Sequence, residues 1–300
     1  MGFSYTAAMN PTPTTLRPNL KDLGGGFTVR RLLPAASRQA VGPFLFFDHF
    51  GPITAGPGVN HDVRAHPHIG LATVTYLFEG AMQHRDSTGA VQRIEPGAIN
   101  WMTAGRGIVH SERTPDDLRG STRRSHGLQL WVALPEADEE MAPSFVHTPA
   151  AAITVLEVGG AAVRVLVGSA FGAESPVAVR SPTLYLDITL HPGDALPLPL
   201  ATERAVYVAD GAVQLDGAML ALQTMTVLTE GDEPLLSADG PARVVLIGGD
   251  PLGPRHLWWN FTSTRKERIR QAAEDWAAGR FDPVPGETEL IPLPADRPLP

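Results

Sequence analysis

Glycine and proline interrupt this chain so often that long helices have little room to form. The 300 residues include 30 glycines and 28 prolines, which are scattered without a triplet period. Dispersed glycine and proline end helices and suit short strands joined by turns, and the missing period excludes a collagen-like chain. The sequence therefore predicts a protein that consists mainly of short β-strands.

The segments between these turn residues have the composition of strands. They are short, rich in leucine, β-branched and aromatic residues, and bounded by glycine, proline, aspartate or serine. Such strands at regular spacing are typical of β-sandwiches and β-barrels. We predict strands at 27–33, 72–78, 127–133, 163–167, 184–190, 204–208 and 243–247.

A weak internal repeat divides the chain into two halves. Residues 74–83 (VTYLFEGAMQ) align with residues 205–214 (AVYVADGAVQ) at an offset of 131 residues. Both segments read as a strand, an acidic residue, a glycine turn and a second strand. The repeat predicts an all-β fold of two related barrels in tandem. Acidic residues and prolines cluster at 135–143, so we place the domains at 1–142 and 143–300.

One helix is predicted, near the C-terminus. Thr264 and Glu267 can form a capping box, and Gly279 lies where a glycine commonly ends a helix. Between them, apolar side chains recur on one face, which predicts a helix that docks on the wall of a barrel. These side chains are Ile269, Ala272, Ala273, Trp276 and Ala277. The last stretch, 282–300, is rich in proline and acidic residues and is predicted to be an extended tail.

Charge and composition exclude several classes of function. The net charge of −8 and the lack of a basic run argue against direct nucleic-acid binding. No stretch approaches the roughly 18 apolar residues of a membrane span. The first 15 residues have neither the basic start nor the apolar stretch of a secretory signal. The absence of cysteine excludes disulfides, thiolate nucleophiles, iron–sulfur clusters and cysteine-ligated zinc, and it favours a cytoplasmic protein.

The histidines are concentrated in the first 150 residues, where eight of the ten lie. Two pairs of polar residues have strand spacing: His66 with His68, and His110 with Glu112. Because residues i and i+2 of a strand point to the same face, each pair directs two donor groups to one side. Two such strands on adjacent walls would gather three imidazoles and a carboxylate around one point. Imidazole suits iron, nickel, copper, zinc and manganese, and without thiolates an open, reactive site is favoured over structural zinc.

The spacing alone also allows a structural interpretation, because isolated histidine pairs arise by chance and buried histidines often form hydrogen bonds in a core. Both alternatives stay open here. The offset of 131 places Pro197 and Pro199 where the first half has His66 and His68, so the second barrel is expected to hold no metal. Pro67 has no amide hydrogen, so its strand is expected at a sheet edge or a bulge. Steps of two from His68 predict an apolar pocket face: Gly70, Ala72, Val74, Tyr76 and Phe78.

Several longer segments carry a family resemblance. They are Phe47–Pro52 (FDHFGP), His66–Gly70 (HPHIG), Tyr76–Gly80 (YLFEG), Trp101–Glu112 (WMTAGRGIVHSE) and Gly127–Val132 (GLQLWV). In these segments the chain resembles the pirin family of the cupin superfamily. Trp258–Phe261 and Gly279–Phe281 resemble the C-terminus of bacterial pirin-like proteins. The resemblance covers nearly the whole chain and is weakest from 150 to 241.

The resemblance implies a bicupin, that is, two antiparallel jelly-roll barrels with a metal in the N-terminal barrel only. The family's ligand set maps onto His66, His68, His110 and Glu112, all of which are present. Iron, as Fe(II), is the metal expected, with nickel, copper, manganese and zinc as alternatives. Some members resemble quercetin 2,3-dioxygenases, which open a flavonol ring with O2. Eukaryotic members are nuclear transcription cofactors, a role that the bacterial-type C-terminus argues against here.

Three hypotheses about function follow, and whether the protein is an enzyme stays open at this point. The first is a mononuclear metal dioxygenase that acts on a small flavonol-type aromatic substrate with O2, with Glu112 as ligand and general base. Its predicted substrate pocket comprises Phe44, Phe46, Tyr76, Trp101 and Gln129. The second is a non-enzymatic iron or redox sensor that a protein partner reads. The third is a family member that binds metal and has no activity.

Overall fold

A computed structural model describes residues 14–24 and 26–300 of the chain. The predicted lack of a secretory signal rests mainly on residues 1–13, which lie outside the described residues. The strands before residue 150 are β1 (Thr14–Leu16), β2 (Asn19–Asp22), β3 (Thr28–Leu33), β4 (Phe44–Ala55), β5 (Val63–His68), β6 (Leu71–Glu79), β7 (Met82–Asp86), β8 (Val91–Ile94), β9 (Ile99–Thr103), β10 (Ile108–Arg113), β11 (Arg123–Ala133) and β12 (Ser144–Thr148).

The elements after residue 150 are again almost all strands. They are β13 (Thr154–Val158), β14 (Ala161–Val167), β15 (Ser169–Ala170), β16 (Ala173–Glu174), β17 (Thr183–Leu190), β18 (Ala195–Pro197), β19 (Glu203–Asp210), β20 (Val213–Leu215), β21 (Ala218–Leu220), β22 (Met225–Val227), β23 (Leu235–Ser237), β24 (Ala242–Gly249), β25 (His256–Trp258), β26 (Phe261–Ser263) and the helix α1 (Lys266–Ala277). Each of the seven predicted strands is present. Short 3-10 turns occupy Asp116–Leu118, Glu136–Asp138 and Ala150–Ala152.

The two halves of the chain form barrels of the same architecture. The N-terminal barrel has a seven-stranded sheet in the order β12-β9-β6-β11-β4-β3-β2 and a four-stranded sheet in the order β5-β10-β7-β8. The C-terminal barrel has a seven-stranded sheet, β1-β22-β19-β24-β17-β14-β13, and a four-stranded sheet, β18-β23-β20-β21. The repeated segments occupy matching places, since β6 and β19 are each third in their sheets and so are β7 and β20. The prediction of two related barrels in tandem is confirmed.

End strands cross between the two halves. Strand β1, at the start of the chain, pairs with β22 in the C-terminal seven-stranded sheet. Strand β12 pairs with β9 and completes the N-terminal sheet, although it follows the predicted boundary at 142/143. The domain division stays a proposal, and this pairing favours a boundary after Thr148.

The outer faces of the two seven-stranded sheets pack against each other in a cluster that we call the interface core. Tyr76 on β6 donates a hydrogen bond of 2.6 Å to Asp187 on β17, and Arg243 on β24 donates to the same carboxylate at 2.8 Å. Because these polar groups satisfy one another, the buried interface contains few unpaired polar atoms. Its apolar members include Phe44, Phe47, Val74, Ile99, Trp101, Leu128, Tyr185, Tyr207, Val245 and Ile247.

The interior of the C-terminal barrel is aliphatic. Its core cluster consists of alanine, valine, leucine and isoleucine, among them Val163, Leu186, Val206, Leu236 and Leu246. Alternating strand positions supply these side chains, since successive residues of a strand face opposite sides. The inner positions of this barrel therefore offer no polar donor groups of the kind found in the N-terminal barrel.

The helix α1 packs its apolar stripe on the N-terminal barrel, as predicted. Ile269, Ala272 and Ala273 are buried against Ile69, at the end of β5. The predicted helix end is confirmed, because Gly279 has a φ of +68° and its amide bonds the carbonyl of Trp276. No helix among the described residues is long and apolar enough to cross a bilayer.

The predicted capping box at the start of α1 is wrong. The helix begins one residue later than that motif requires, with Arg265 as the N-cap and no side-chain cap. The hydroxyl of Thr264 instead donates to the buried carboxylate of Glu139, from the turn after β11, and Glu139 also accepts the Thr264 amide. The hydrogen bond to Glu139, a tertiary contact, therefore replaces the local cap that Thr264 was predicted to form.

The C-terminal tail is extended, as predicted, and it docks on the edge of β5. The amide of Ala65 bonds the carbonyl of Glu289, and the amide of Ile291 bonds the carbonyl of Ala65. Val284 packs on Ala65, and Glu287 accepts hydrogen bonds from Ser111 on β10 at 2.7 Å and from Arg113. Pro67 lies on β5, the end strand of the four-stranded sheet, so the prediction of an edge strand is confirmed. The tail covers this edge of the sheet.

Candidate metal centre

Three histidines meet inside the N-terminal barrel, where the strand spacing predicted them. His66 and His68 lie on β5, and the register of β10 places His110 directly opposite His66. The three rings have centroid separations of 4.4 to 5.0 Å. One ring nitrogen from each lies within 4.8 Å of the others, a spacing that a single ion can bridge. All three side chains are buried.

Two backbone carbonyls determine which nitrogens face the centre. His66 donates through Nδ1 to the carbonyl of Arg64 at 2.8 Å, and His68 donates through Nδ1 to the carbonyl of Asn260 at 3.2 Å. Each ring therefore keeps the lone pair of Nε2 for a ligand, which is the usual support for a metal-bound histidine. Among the described residues, neither ring nitrogen of the buried His110 has a hydrogen-bond partner. A buried unpaired nitrogen is costly, and a metal ion at the centre would supply a partner for one of the two.

The electrostatics of the cluster keep the imidazoles neutral. Burial lowers the pKa of His66 from its ordinary value to about 4. Burial, together with the neighbouring His66, lowers the pKa of His68 and that of His110 well below the usual range. Metals bind the neutral form of imidazole, so this site is ready to bind a metal near neutral pH. The donor set fits a divalent transition metal such as iron, nickel, copper, manganese or zinc.

Glu112 lies near this cluster but outside it. β5 has an extra residue at this point, so Glu112 on β10 is opposite Val63, and the register shifts between His110 and Glu112. The Glu112 carboxylate is buried and accepts a hydrogen bond of 3.3 Å from the hydroxyl of Thr75 on β6. Burial raises its pKa above the ordinary value. The structure therefore brings Glu112 to the same cavity without grouping it with the three histidine donors, and its role as fourth ligand stays a prediction.

A second polar pair next to the cluster escaped the sequence analysis. His84 on β7 is opposite Glu112 in the sheet register, and its ring centroid is 5.4 Å from that of His110. Its Nε2 is 2.9 Å from the carboxylate of Asp86, and its ring stacks on Phe145. Burial alone would raise the pKa of Asp86, but hydrogen bonds from His84 and from the turn that follows hold it below the ordinary value. The i, i+2 spacing of His84 and Asp86 was the signal that could have revealed the pair.

The histidine cluster opens into a cavity of about 870 Å³. Trp131 and Phe46 form part of its wall and are stacked with centroids 4.0 Å apart, and Trp131 also meets the ring of His68 edge-on. Gln129 lines the same wall, and Thr75 lies 2.9 Å from its amide oxygen. Of the predicted pocket residues, Phe46 and Gln129 thus lie at the cavity.

Phe44, Tyr76 and Trp101 do not line the cavity, which corrects the pocket prediction. All three lie in the interface core, on the outer face of the seven-stranded sheet. The face pattern of β5 does not continue into β6, because the two strands belong to different sheets and are joined by a turn at Gly70 with a φ of +70°. A register shift in the pairing of β4 with β11 likewise places Phe44 on the opposite face from Phe46.

An ion pair on the same wall was also missed. Arg31 on β3 donates to both oxygens of Asp48 on β4, at 2.8 and 2.7 Å. The guanidinium of Arg31 lies 4.3 Å from the centre of the Phe46 ring. Burial raises the pKa of Asp48, and Arg31 opposes that rise. The pair carries no net charge, and it connects the aromatic wall to the outer strands of the sheet.

The end of the chain completes the site. Leu257 and Trp259 line the cavity together with Ile291 of the tail, and Asn260 supplies the carbonyl that orients His68. Ile69, directly after the ligand strand, forms a parallel bridge with Phe261. Residues nearly 200 positions downstream of the histidine pair therefore position it, a contact that no local spacing reveals.

Comparisons with known proteins agree with this architecture. The family model described as Pirin matches residues 26–132, and the model described as Pirin C-terminal cupin domain matches residues 185–282. A pirin-like protein of Caulobacter vibrioides is 48% identical over 279 residues, covering 91% of this chain and 96% of the relative. A crystal structure named quercetin 2,3-dioxygenase, from Acinetobacter baumannii, has a TM-score of 0.87 and 34% identity and covers 95% of this chain and 96% of that one. The fold is a bicupin. A crystal structure of a bacterial pirin of Escherichia coli in complex with nickel(II) shares that fold, with a TM-score of 0.63 and 20% identity. The match covers 80% of this chain and 100% of that one.

Proposed function

Because these matches make the chain a member of the pirin family, we propose that it is a mononuclear metal-dependent dioxygenase for flavonol-type aromatic substrates, with O2 as co-substrate. The observation that carries the proposal is the position of three neutral histidines at an aromatic-walled cavity of about 870 Å³. Such a volume lies within the range of small-molecule sites. The likeness to a structure named quercetin 2,3-dioxygenase supports the substrate class.

The proposed metal is Fe(II), held by His66, His68 and His110, with Glu112 as a fourth ligand. Nickel, copper, manganese and zinc suit the same donor set and are the alternatives. When bound, the metal supplies a Lewis acid and, for iron, redox chemistry with O2. The remaining steps belong to residues of this chain.

The protein residues have three roles in the proposed reaction. Phe46 and Trp131 stack along the wall and seat the rings of the substrate, while the aromatic lining excludes water from the reacting end. Glu112 takes the proton of the substrate hydroxyl as general base, because its buried carboxylate has a raised pKa and is a stronger base than one in water. Thr75 keeps that carboxylate oriented through its hydrogen bond.

The test is an aerobic assay of the metal-loaded full chain on a panel of flavonols, with the products identified. Iron, nickel, copper, manganese and zinc are loaded in parallel, and the label from 18O2 is followed into the product. We expect ring-opened product with two labelled oxygens, no turnover without O2, and none from His110→Ala. Tight metal binding without turnover on any flavonol would contradict the proposal and leave the redox-sensor hypothesis and the inactive metal-binding hypothesis. Binding of a protein partner that changes with the oxidation state of the iron would distinguish these two. The cytoplasmic location stays a prediction from composition.

A further inference from the structure

We propose that the outer end of this cavity binds an anionic group of the substrate through Lys21, Arg64 and Arg297. The inference deepens the proposed function, on which it rests for the aromatic part of the ligand. The proposed function and this inference together assign a substrate class. It is an aromatic compound with metal-binding oxygens at one end and a carboxylate, sulfonate or similar anion at the other.

Some charged groups at the cavity already have partners within the protein. Arg31 is bound to Asp48 through two hydrogen bonds. Asp62 accepts hydrogen bonds from Arg119 at 3.0 Å and from the amide of Thr114 at 2.7 Å. These charged groups line the cavity but have their partners within the protein, so they attract a ligand only weakly.

Three cations at the cavity have no such partner. Lys21, Arg64 and Arg297 also line the cavity, and none has a hydrogen bond or ion pair with another side chain among the described residues. Asp296 is the exposed carboxylate that lines the cavity without a side-chain partner among the described residues, since Glu112 lies buried at the inner end. Three cations against one carboxylate give this end a positive balance, in a chain whose net charge is −8.

The placement of Arg64 relates this positive end to the metal site. Arg64, His66 and His68 lie at alternate positions of β5 and all line the cavity, with Arg64 exposed and the two histidines buried. Since a regular strand rises about 3.3 Å per residue and the extra residue in β5 shortens this stretch, the backbone of Arg64 lies at most roughly 7 Å from that of His66 and at most roughly 13 Å from that of His68. A two- or three-ring aromatic molecule spans a similar length, so an anion on its outer ring would reach the guanidinium of Arg64.

Lys21 and Arg297 line the same cavity from two other elements, and like Arg64 they are exposed. Lys21 is on β2 opposite Val29, and both line the cavity, so this face of the strand is turned inward. Arg297 is on the tail, which the pairing of Ile291 with Ala65 and a hydrogen bond of 3.0 Å from Trp276 to the Ile291 carbonyl hold in place. Proline at 292, 294 and 298 restricts the backbone around it.

The physical consequence is selective capture of anions. Arginine binds carboxylates and related oxyanions through paired, charge-assisted hydrogen bonds. Unpaired cations at the opening of a low-dielectric cavity also attract anionic ligands from a distance, and salt weakens that attraction. A neutral flavonol would gain the aromatic contacts but not this interaction.

The test compares a neutral flavonol with the same flavonol carrying a sulfonate, by calorimetric titration of the metal-loaded full chain in the absence of O2, so that neither compound is turned over. At an ionic strength of about 0.01 M, where the Debye length is about 30 Å, we expect the sulfonated compound to bind about tenfold more tightly. The preference should shrink several-fold at about 0.15 M. Arg64→Gln and Arg297→Gln should each lose much of the preference and bind the neutral compound as before. Arg180→Gln, which removes an exposed arginine of the C-terminal barrel, is the matched control.

The binding readout separates this inference from the proposed activity. If the sulfonated compound binds tighter in the wild type and not in the variants, the anion site stands even when no flavonol is turned over. If both compounds bind equally in the wild type, or the variants keep the full preference, the anion site is overturned even when turnover is observed.

Discussion

Among single residues, His110 shows most directly what the site needs. It is fully enclosed, yet both of its ring nitrogens lack a partner among the described residues, whereas His66 and His68 each use Nδ1 to bond a backbone carbonyl. Folding therefore leaves three nitrogens directed at one point at an energetic cost of about 1–3 kcal/mol for each unpaired buried group. A bound metal removes that cost for the three nitrogens that face it, one of which belongs to His110.

We therefore expect about one transition metal per chain, most of it lost when a histidine is removed. His66→Ala and His110→Ala should each weaken metal binding by more than about tenfold, because losing a ligand costs more than the 10- to 100-fold loss seen for supporting residues. Metal content is measured by elemental analysis after dialysis. His191→Ala, at an exposed position in the second barrel, is the control. Full metal content in the variant that combines His66→Ala and His110→Ala would exclude these residues as ligands.

Glu112→Gln tests whether the buried carboxylate is a base as well as a ligand. The substitution keeps the shape and one oxygen but removes the negative charge and the basic site. If Glu112 is the general base, turnover per bound metal should fall by about 10²- to 10⁴-fold.

The loss caused by Glu112→Gln should shrink at alkaline pH, where the substrate hydroxyl ionises without help. Turnover per bound metal is compared between neutral and alkaline pH, with Glu157→Gln, an exposed carboxylate on β13, as control. Equal rates per metal at every pH would leave Glu112 as a ligand only.

Among the elements of the fold, the tail and β5 depend on each other. An edge strand with an unpaired backbone can pair with other chains, and here the last part of the same chain covers that edge. Glu287 anchors the arrangement through Ser111 and Arg113, and the hydrogen bonds from Arg113 hold the pKa of the Glu287 carboxyl below its usual value. The strand that carries His66 and His68 is thus kept in place from outside the barrel.

Glu287→Gln should loosen the tail and the outer end of β5 without unfolding the barrel. Losing a charged hydrogen-bond partner of Arg113 costs about 1.5 kcal/mol, which corresponds to roughly tenfold faster opening. Native-state hydrogen exchange should show this acceleration at the amides of Ala65 and Ile291. Glu274→Gln, on the exposed face of α1, is the matched control. Unchanged exchange at both amides would show that Glu287 does not anchor the tail.

For the whole molecule, the contact between the barrels contains a buried chain of titratable groups. Tyr207 of the C-terminal barrel donates to Nδ1 of His49 at 2.5 Å, and Nε2 of His49 is 2.6 Å from Nε2 of His126. Burial raises the pKa of Tyr207, so its hydroxyl stays protonated and acts as the donor. Burial lowers the pKa of His49 to about 3, and His126 and Arg30 add to the effect.

Stability should therefore fall in mild acid. The unfolded chain protonates His49 near its ordinary pKa of 6.5 and the folded chain only near 3, so below pH 6.5 protons favour unfolding. Protonation of His49 in the unfolded chain should by itself lower the free energy of unfolding by about 2 kcal/mol between pH 7 and pH 5. The free energy of unfolding is measured by denaturant for the wild type and for His49→Gln at each pH. The difference between the two is compared, because the other buried histidines titrate in both. His191→Gln is the control, and an equal pH slope for His49→Gln would contradict the prediction.

The two barrels should also differ in metal content. The interior of the C-terminal barrel is filled by aliphatic side chains, and the repeat places Pro197 and Pro199 where the first barrel has His66 and His68. We expect crystals of the metal-loaded protein to give an anomalous-scattering peak at the histidine cluster alone. A peak within residues 150–250 would refute this.

The sequence by itself determined the features that depend on local periodicity. Short apolar segments bounded by turn residues identified the strands, the period of two placed His66 and His68 on one face, and the helical stripe ending at Gly279 identified α1. The repeat at an offset of 131 residues identified the two barrels, and the family resemblance identified the bicupin. These signals are local because neighbouring residues of a strand or helix have fixed relative directions whatever the rest of the chain does.

Only the tertiary structure decided which face of each strand meets the cavity. The turn at Gly70 moves the chain from one sheet to another, so Tyr76 faces the second barrel. Trp101 does so because it pairs with Val74 on the same face of β6, and the register shift in β4 has the same effect on Phe44. The carbonyl of Asn260 that orients His68 comes from 192 residues away, and the tail that lines the cavity comes from still farther along the chain. Pairing between distant segments is set by the packing of the whole chain, and for that reason no spacing within a single strand could have revealed it.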